Sequence, residues 1–302
     1  MAGCLRAALA PAPVAALVAL AAPAAPAAPA AAQGPAPTAW DSVAAILQTP
    51  AVPSAGYVRY NFPRRDFTVR LGDLTLAVPL AAVAWAGFAG TSGDAIVMGD
   101  LVVTTAELGP VEAALLRQRL DVTAVHNHLV GEQPRLMYVH LHGEGAAVDL
   151  ARRLDSVLAR TAIPRPVTPS VAPPVTIDTA AIFHALGASG RAQGSVAQLA
   201  LLLVSRKVTW RGRALPPALA LATPVNIQAV APGRAVATGD FAVLESQVGP
   251  VLRAMAANGI VVEALHGHMV GETPSVSFIH FWIDGPLPAV VAGLKAAIDA
   301  AK

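Results

Sequence analysis

The chain has 302 residues, of which 55% are apolar and 13% charged, so core material is plentiful. Lys and Arg number 21 against 19 Asp and Glu, a formal net charge of +2. That balance argues against a nucleic-acid partner, which needs concentrated basic side chains to neutralise phosphates.

The N-terminal segment differs from the rest. A weakly positive start, Met1 to Arg6, precedes a run of Ala, Val, Leu and Pro, and Ala30-Ala31-Ala32 before Gln33 fits a signal-peptidase site. Prolines 23, 26 and 29 interrupt the hydrogen-bond ladder that a spanning helix requires. The expectation is a cleaved signal at residues 1–32, no stable membrane span after cleavage, and export to the periplasm, cell envelope or medium. Cys4, the single cysteine, lies in this segment with too few residues before it for lipid attachment. The mature chain therefore has neither disulfides nor thiolate chemistry.

Beyond the signal the sequence repeats at an offset of 140: Gly99-Asp100 answers Gly239-Asp240, Gly109-Pro110 answers Gly249-Pro250, and His126 answers His266. The chain divides into module 1 at 38–163, a Pro-rich linker at 164–174, and module 2 at 175–302. Each module opens with an amphipathic helix, near 41–48 and 178–186. Extended runs follow at Phe67 to Leu76 and Ala95 to Thr104, and in the second copy at Leu199 to Trp210 and Ala235 to Leu244. A helix is predicted to begin after Gly109, with Pro110 in the first helical position, and Gly259 fits a helix C-terminus in the second copy. Strands over 122–129 and 135–142, joined by a tight Gly-Glu-X-Pro turn, precede a last helix at 146–160. This order predicts an α+β protein: a tandem duplication of one module with an antiparallel sheet, helices on one face, and a ferredoxin-like or split β-α-β plan.

Seven of the eight histidines fall in the two predicted hairpins. Side chains two apart on a strand share a face, so His126 and His128 point together. If His128 lies opposite Leu136, then His126, His128, Tyr138 and His140 converge; a one-residue slip puts His140 on the far face. The second copy offers His266, His268 and His280. Such imidazoles with a carboxylate are the ligand set for Zn, Cu, Ni, Mn or Fe, with Glu132 and Glu272 as ligands or general acid/base groups. Two arrangements are open: a site in each hairpin, or one composite site across a pseudo-two-fold axis. A metal-dependent enzyme, a protein that binds a metal or small-molecule ligand without turnover, and a structural module of the envelope are all compatible with these residues.

The segment His126-Asn127-His128-Leu129, with Gly131-Glu132-X-Pro134 and then His140, resembles a bacterial family of unknown function whose namesakes are the mycobacterial lipoproteins LppY and LpqO. The resemblance covers nearly all of the chain beyond the signal and implies an exported, duplicated protein. It marks His126, Asn127, His128, Glu132 and His140, then His266, His268, Glu272 and His280. Gly267 stands where the family has Asn.

Overall fold

The computed structural model describes residues 38–168 and 177–302, together with Met1. The predicted signal and the second half of the Pro-rich linker lie outside the described residues. Residues 164–168 carry neither helix nor strand.

Module 1 runs α1 (Ala39–Leu47), β1 (Ala51–Ser54), β2 (Tyr57–Pro63), β3 (Val69–Leu71), β4 (Leu74–Leu76), α2 (Val78–Ala81), β5 (Val83–Gly90), β6 (Ala95–Thr104), α3 (Thr105–Arg117), β7 (Asp121–His126), β8 (Glu132–Gln133), β9 (Leu136–Gly145) and α4 (Ala147–Leu158). Module 2 repeats the order: α5 (Thr179–Leu186), β10 (Gly190–Gln193), β11 (Val196–Leu202), β12 (Thr209–Trp210), β13 (Arg213–Ala214), α6 (Pro217–Ala220), β14 (Ala222–Ala231), β15 (Arg234–Leu244), α7 (Glu245–Ala257), β16 (Val261–Gly267), β17 (Glu272–Thr273), β18 (Val276–Pro286) and α8 (Leu287–Ala300). The fold is α+β and duplicated, as the repeat predicts.

Each module builds one six-stranded sheet, ordered β1-β2-β5-β6-β9-β7 and β10-β11-β14-β15-β18-β16, with every ladder antiparallel. In the first sheet β6 leads through α3 to β7, and β9 lies between them. That is the split β-α-β arrangement, and β15-α7-β16 with β18 inserted repeats it.

Period-two alternation fixes which face each residue takes. Val97, Leu101, Val139 and Leu141 pack with Val43 of α1, Val111 and Leu115 of α3, and Leu150 and Leu154 of α4. Phe241, Ile279 and Phe281 do the same against Val251, Met255, Val290 and Leu294. Each such buried side chain stabilises the fold by roughly 1.5–3 kcal/mol. The opposite faces pack on the other module, where Ile96 and Met98 join Trp210, Leu219, Met269 and Phe278 in one apolar cluster.

Four local expectations are corrected. The helix expected after Gly109 begins at Thr105, so Pro110 lies inside it. Its true start is signalled by Thr104 and Glu107, whose carboxylate accepts from the Thr104 N–H at 2.8 Å. The run Phe67 to Leu76 is a small hairpin rather than one strand, turning at Gly72 with φ +56, and Leu199 to Trp210 is broken between β11 and β12. The two hairpin strands are not joined by a tight turn: β7 stops at His126, and Glu132–Gln133 pairs with β3 instead. Gly131 at φ +94 and Gly271 at φ +86 supply the left-handed backbone in these connections.

Candidate metal centre

The site grows out of the face that carries no helices. Since Val139 and Leu141 point into the helical core, His140 and His142 point to the other module. On the neighbouring strand Asp100 is the direct ladder partner of His140, and Asp240 that of His280. The glycine before each aspartate has its own reason. A Cβ at Gly99 would lie 2.6 Å from the Trp85 carbonyl oxygen, and one at Gly239 would lie 2.0 Å from that of Pro224. The repeated Gly-Asp pair thus combines a close strand approach with a carboxylate that is buried at Asp100 and half-buried at Asp240.

His126 pairs with Tyr138 and Ala124 with His140, the register that aligns the even-numbered residues. His126 and His140 therefore share a face, with their Nε2 atoms 2.9 Å apart. In module 2 the His266 and His280 Nε2 atoms are 2.8 Å apart. His128 and His268 lie just past the strand or at its end, in the connection that leads to β8 or β17.

The two constellations meet. His126 stacks on His266 at 3.9 Å between ring centroids, His128 on His280 at 4.1 Å, and His140 lies 3.9 Å from His268. Of the two arrangements left open by the sequence, the structure shows one cluster spanning both modules. Among the described residues, two groups bring ligand atoms within 4.8 Å of one another: His126, His140 and His266, and His126, His128 and His280.

Contacts across the interface hold this arrangement. The Thr123 hydroxyl donates to the His268 carbonyl at 2.9 Å, and the Val130 N–H donates to a Glu263 carboxylate oxygen at 2.7 Å. Asn127 donates to the Glu263 carbonyl at 3.2 Å. Thr123 and Glu263 sit at equivalent ladder irregularities in β7 and β16, where the local bend re-aims a side chain. Sequence reading missed both, since a bulge at this place leaves no composition signal.

Hydrogen-bond partners fix the ring tautomers. His126 Nδ1 is 3.1 Å from the Asn127 carbonyl oxygen, and His266 Nδ1 is 2.8 Å from that of Gly267. Carbonyls only accept, so both rings carry the proton on Nδ1 and present a bare Nε2. His140 Nδ1 faces the His268 carbonyl at 3.4 Å, while His280 Nδ1 lies 2.6 Å from Asp240 Oδ1 without the alignment of a hydrogen bond. Each close Nε2–Nε2 contact has the length of an imidazole N–H···N hydrogen bond.

The electrostatics favour neutral rings at His126, His128, His266 and His268 and ionised carboxylates at Asp100 and Asp240. Burial, then the His128 and His140 rings, pushes the His126 imidazole well below its ordinary value. Burial and the adjacent His280 lower His266 to about 4. His128 and His268 are lowered too, first by burial. Burial alone would raise the Asp100 and Asp240 carboxyls, but the imidazoles of His140 and His280 hold them below the usual range. Neutral imidazole and ionised carboxylate are the protonation states in which these groups ligate a metal.

The remaining expected residues behave differently. Glu132 and Glu272 are buried, and their Oε1 atoms accept from the N–H groups of Leu136 at 2.9 Å and Val276 at 3.2 Å. Neither belongs to the two histidine groups. Tyr138 stacks on His128 at 3.4 Å and donates its hydroxyl to the Ala81 carbonyl. His142 is fully buried against Trp210. Among the described residues, the buried side-chain polar atoms without a partner belong to Asp100, His128, Glu132, His142, His268 and His280. Buried polar atoms are normally satisfied, so this concentration around one cluster fits a polar or cationic ligand there.

Residues 41–160, and again 180–300, match the family described as Domain of Unknown Function (DUF1259), and the chain belongs to that family. No curated protein matches it. Among solved structures it is similar to the double ringed trimeric shell protein MSM0271 from the RMM microcompartment, at 13% identity over 70% of this chain and 85% of that one, with TM-score 0.20. EtuB from Clostridium kluyveri gives 12% identity over 83% and 90%, with TM-score 0.19. An unknown protein from Galdieria sulphuraria gives 12% over 69% and 91%, with TM-score 0.18. None is close enough to carry an inference about this chain.

Proposed function

Membership of this family carries no reaction with it, and from the geometry we propose that the protein binds a divalent transition metal at the histidine cluster between its modules. The observation that carries this is the convergence of imidazole nitrogens from both modules, His126, His140 and His266 in one group and His126, His128 and His280 in another, each within 4.8 Å of one another. His126, His140 and His266 each face a backbone carbonyl through Nδ1, the usual support of a metal-bound histidine. Neutral imidazoles with one or two carboxylates suit Zn, Cu, Ni, Mn or Fe.

Holding an ion, rather than turnover, is the better-supported use. Glu132 and Glu272 are engaged by backbone N–H groups, which occupies one oxygen of each expected acid/base residue. His140 is 2% and His280 1% exposed, so a substrate would have little approach to an ion bound beside them. We read residues 1–32 as an export signal, in keeping with the resemblance to the LppY/LpqO proteins. No helix among the described residues is long and apolar enough to cross a membrane.

The test is elemental analysis of protein purified from cells with ample metal, beside a His126→Ala/His140→Ala variant. A divalent transition metal near or above one equivalent in the parent, sharply reduced in the variant, is expected. A ligand present at about 100 times its Kd adds about 2.7 kcal/mol of stability, so chelation should lower the melting temperature. Metal-free protein whose melting temperature ignores added Zn, Cu, Ni, Mn and Fe ends the proposal.

A further inference from the structure

We infer that module 2 carries a peptide-docking groove, whose occupant is an extended segment of a partner protein with an acidic side chain between apolar ones. The groove is a cavity of about 320 Å³ bounded by the end of α5, by β11 from Ala200 onward, and by the last turns of α8 with Lys302. It opens to solvent, and Leu202 on its wall is 55% exposed. None of its residues belongs to the histidine cluster.

The duplication shows what such a groove holds. Helices α1 and α5 both end on a left-handed residue, Gln48 at φ 55 and Gly187 at φ 69. The hairpins that follow keep one register, with Ala51 opposite Tyr60 and Gly190 opposite Leu199. In module 1 the chain itself fills the matching groove, because the segment Ile163–Thr168 crosses it after α4. Ile163 is buried in the module 1 core, and the Val167 N–H donates to the Gln48 carbonyl at 2.8 Å. Arg165 pairs with Asp155 of α4, and Arg65 donates to the Thr168 carbonyl at 2.6 Å. Pro164 and Pro166 favour an extended backbone in this segment, which lowers the entropy lost on docking.

Module 2 has the receptor without this occupant. Among the described residues, none fills the groove, and the Gly187 carbonyl, counterpart of the Gln48 acceptor, accepts no hydrogen bond. Leu186, Leu201, Leu202 and Ile298 give it apolar walls. Its charge is reversed. Lys295 of α8 stands where α4 has Asp155, at the offset of 140, and Lys302 adds a second ammonium at the rim. Asp299 pairs with both lysines, which leaves one positive charge in excess. A segment that lies here as Ile163–Thr168 lies in module 1 therefore needs a carboxylate at the place of Arg165. Apolar side chains belong at the places of Ile163 and Val167, so backbone and apolar contacts supply affinity and the charge supplies selection.

The test is fluorescence anisotropy of the full chain with two labelled peptides of the sequence Thr161–Thr168, one unchanged and one carrying Arg165→Glu. The acidic peptide should bind saturably and about threefold or more tighter than the basic one, as expected when repulsion gives way to attraction at a partly exposed ion pair. Lys295→Glu should reverse that preference, and Ala200→Trp, which fills the groove, should abolish binding of both peptides. Far-UV circular dichroism confirms that each variant is folded, and an unfolded Ala200→Trp leaves Lys295→Glu to decide. Equal affinity for the two peptides, or a preference that Lys295→Glu leaves unmoved, overturns the acidic assignment. Binding of neither peptide overturns the groove as a peptide site, and so does saturable binding of dodecanoate alone, which would make it a site for an anionic lipid.

Discussion

Replacing His142 by Phe should make the metal-free protein less sensitive to acid. His142 is 0% exposed, and neither ring nitrogen has a partner. Burial, with His140 and Arg211 nearby, pushes its imidazole from an ordinary 6.5 down to about 3. A depressed folded-state value means that below pH ~6.5 the unfolded chain takes up a proton that the folded chain refuses. This contribution to stability is complete above pH ~6.5 and is lost as pH falls toward the folded-state value. Each pH unit in that window costs about 1.4 kcal/mol, so the full window amounts to roughly 5 kcal/mol. The assay is urea unfolding at pH 7, 5.5 and 4.5 in the presence of a chelator. The parent should lose about 1.4 kcal/mol per unit more than His142→Phe below pH 6. At pH 7 the variant should be nearly neutral or stabilised, because an unsatisfied buried polar ring gives way to an apolar one. Indistinguishable pH slopes would refute the placement of His142 as a buried neutral imidazole.

Two further substitutions test the frame that carries the site. Arg64 is 0% exposed and binds Asp66 at 2.7 Å, Glu107 at 2.7 Å and the Val102 carbonyl at 2.7 Å. Arg64→Ala strands those acceptors and should cost about 3–5 kcal/mol in urea unfolding; a loss under 1 kcal/mol contradicts the network. Gly99→Ala puts a Cβ 2.6 Å from the Trp85 oxygen, so strand separation should cost about 1–3 kcal/mol and weaken metal binding. Wild-type stability and metal content in that variant would show that the close approach is not required.

Much of this was readable in the sequence, for identifiable reasons. A constant offset of 140 aligned Gly99-Asp100 with Gly239-Asp240 and His126 with His266, and strand periodicity put His126 and His140 on one face once the register was chosen. The true start of α3 was also legible, in Thr104 and Glu107, but Pro110 suggested a first helical position that the chain uses as the sixth. Glu132 was misleading because the Gly-Glu-X-Pro stretch resembles a hairpin turn; its pairing with Leu71 is a contact some 60 residues away in sequence that no local pattern encodes. The meeting of the modules was beyond local reading too, since it depends on Thr123 and Glu263 at bulges.

That meeting explains why a duplicated chain is needed at all. One module covers a single sheet face with α1, α3 and α4, and its other face carries Ile96, Met98, Asp100, His140 and His142. In water that face would expose apolar side chains to solvent. Against the second module the same residues are buried, with His142 pushed toward its neutral form and Asp100 held ionised. Packing of the two sheets and creation of the ligand set are therefore one event. A change that loosens the interface without touching a histidine, such as Glu263→Ala at its bond to the Val130 N–H, should weaken metal binding as well as stability.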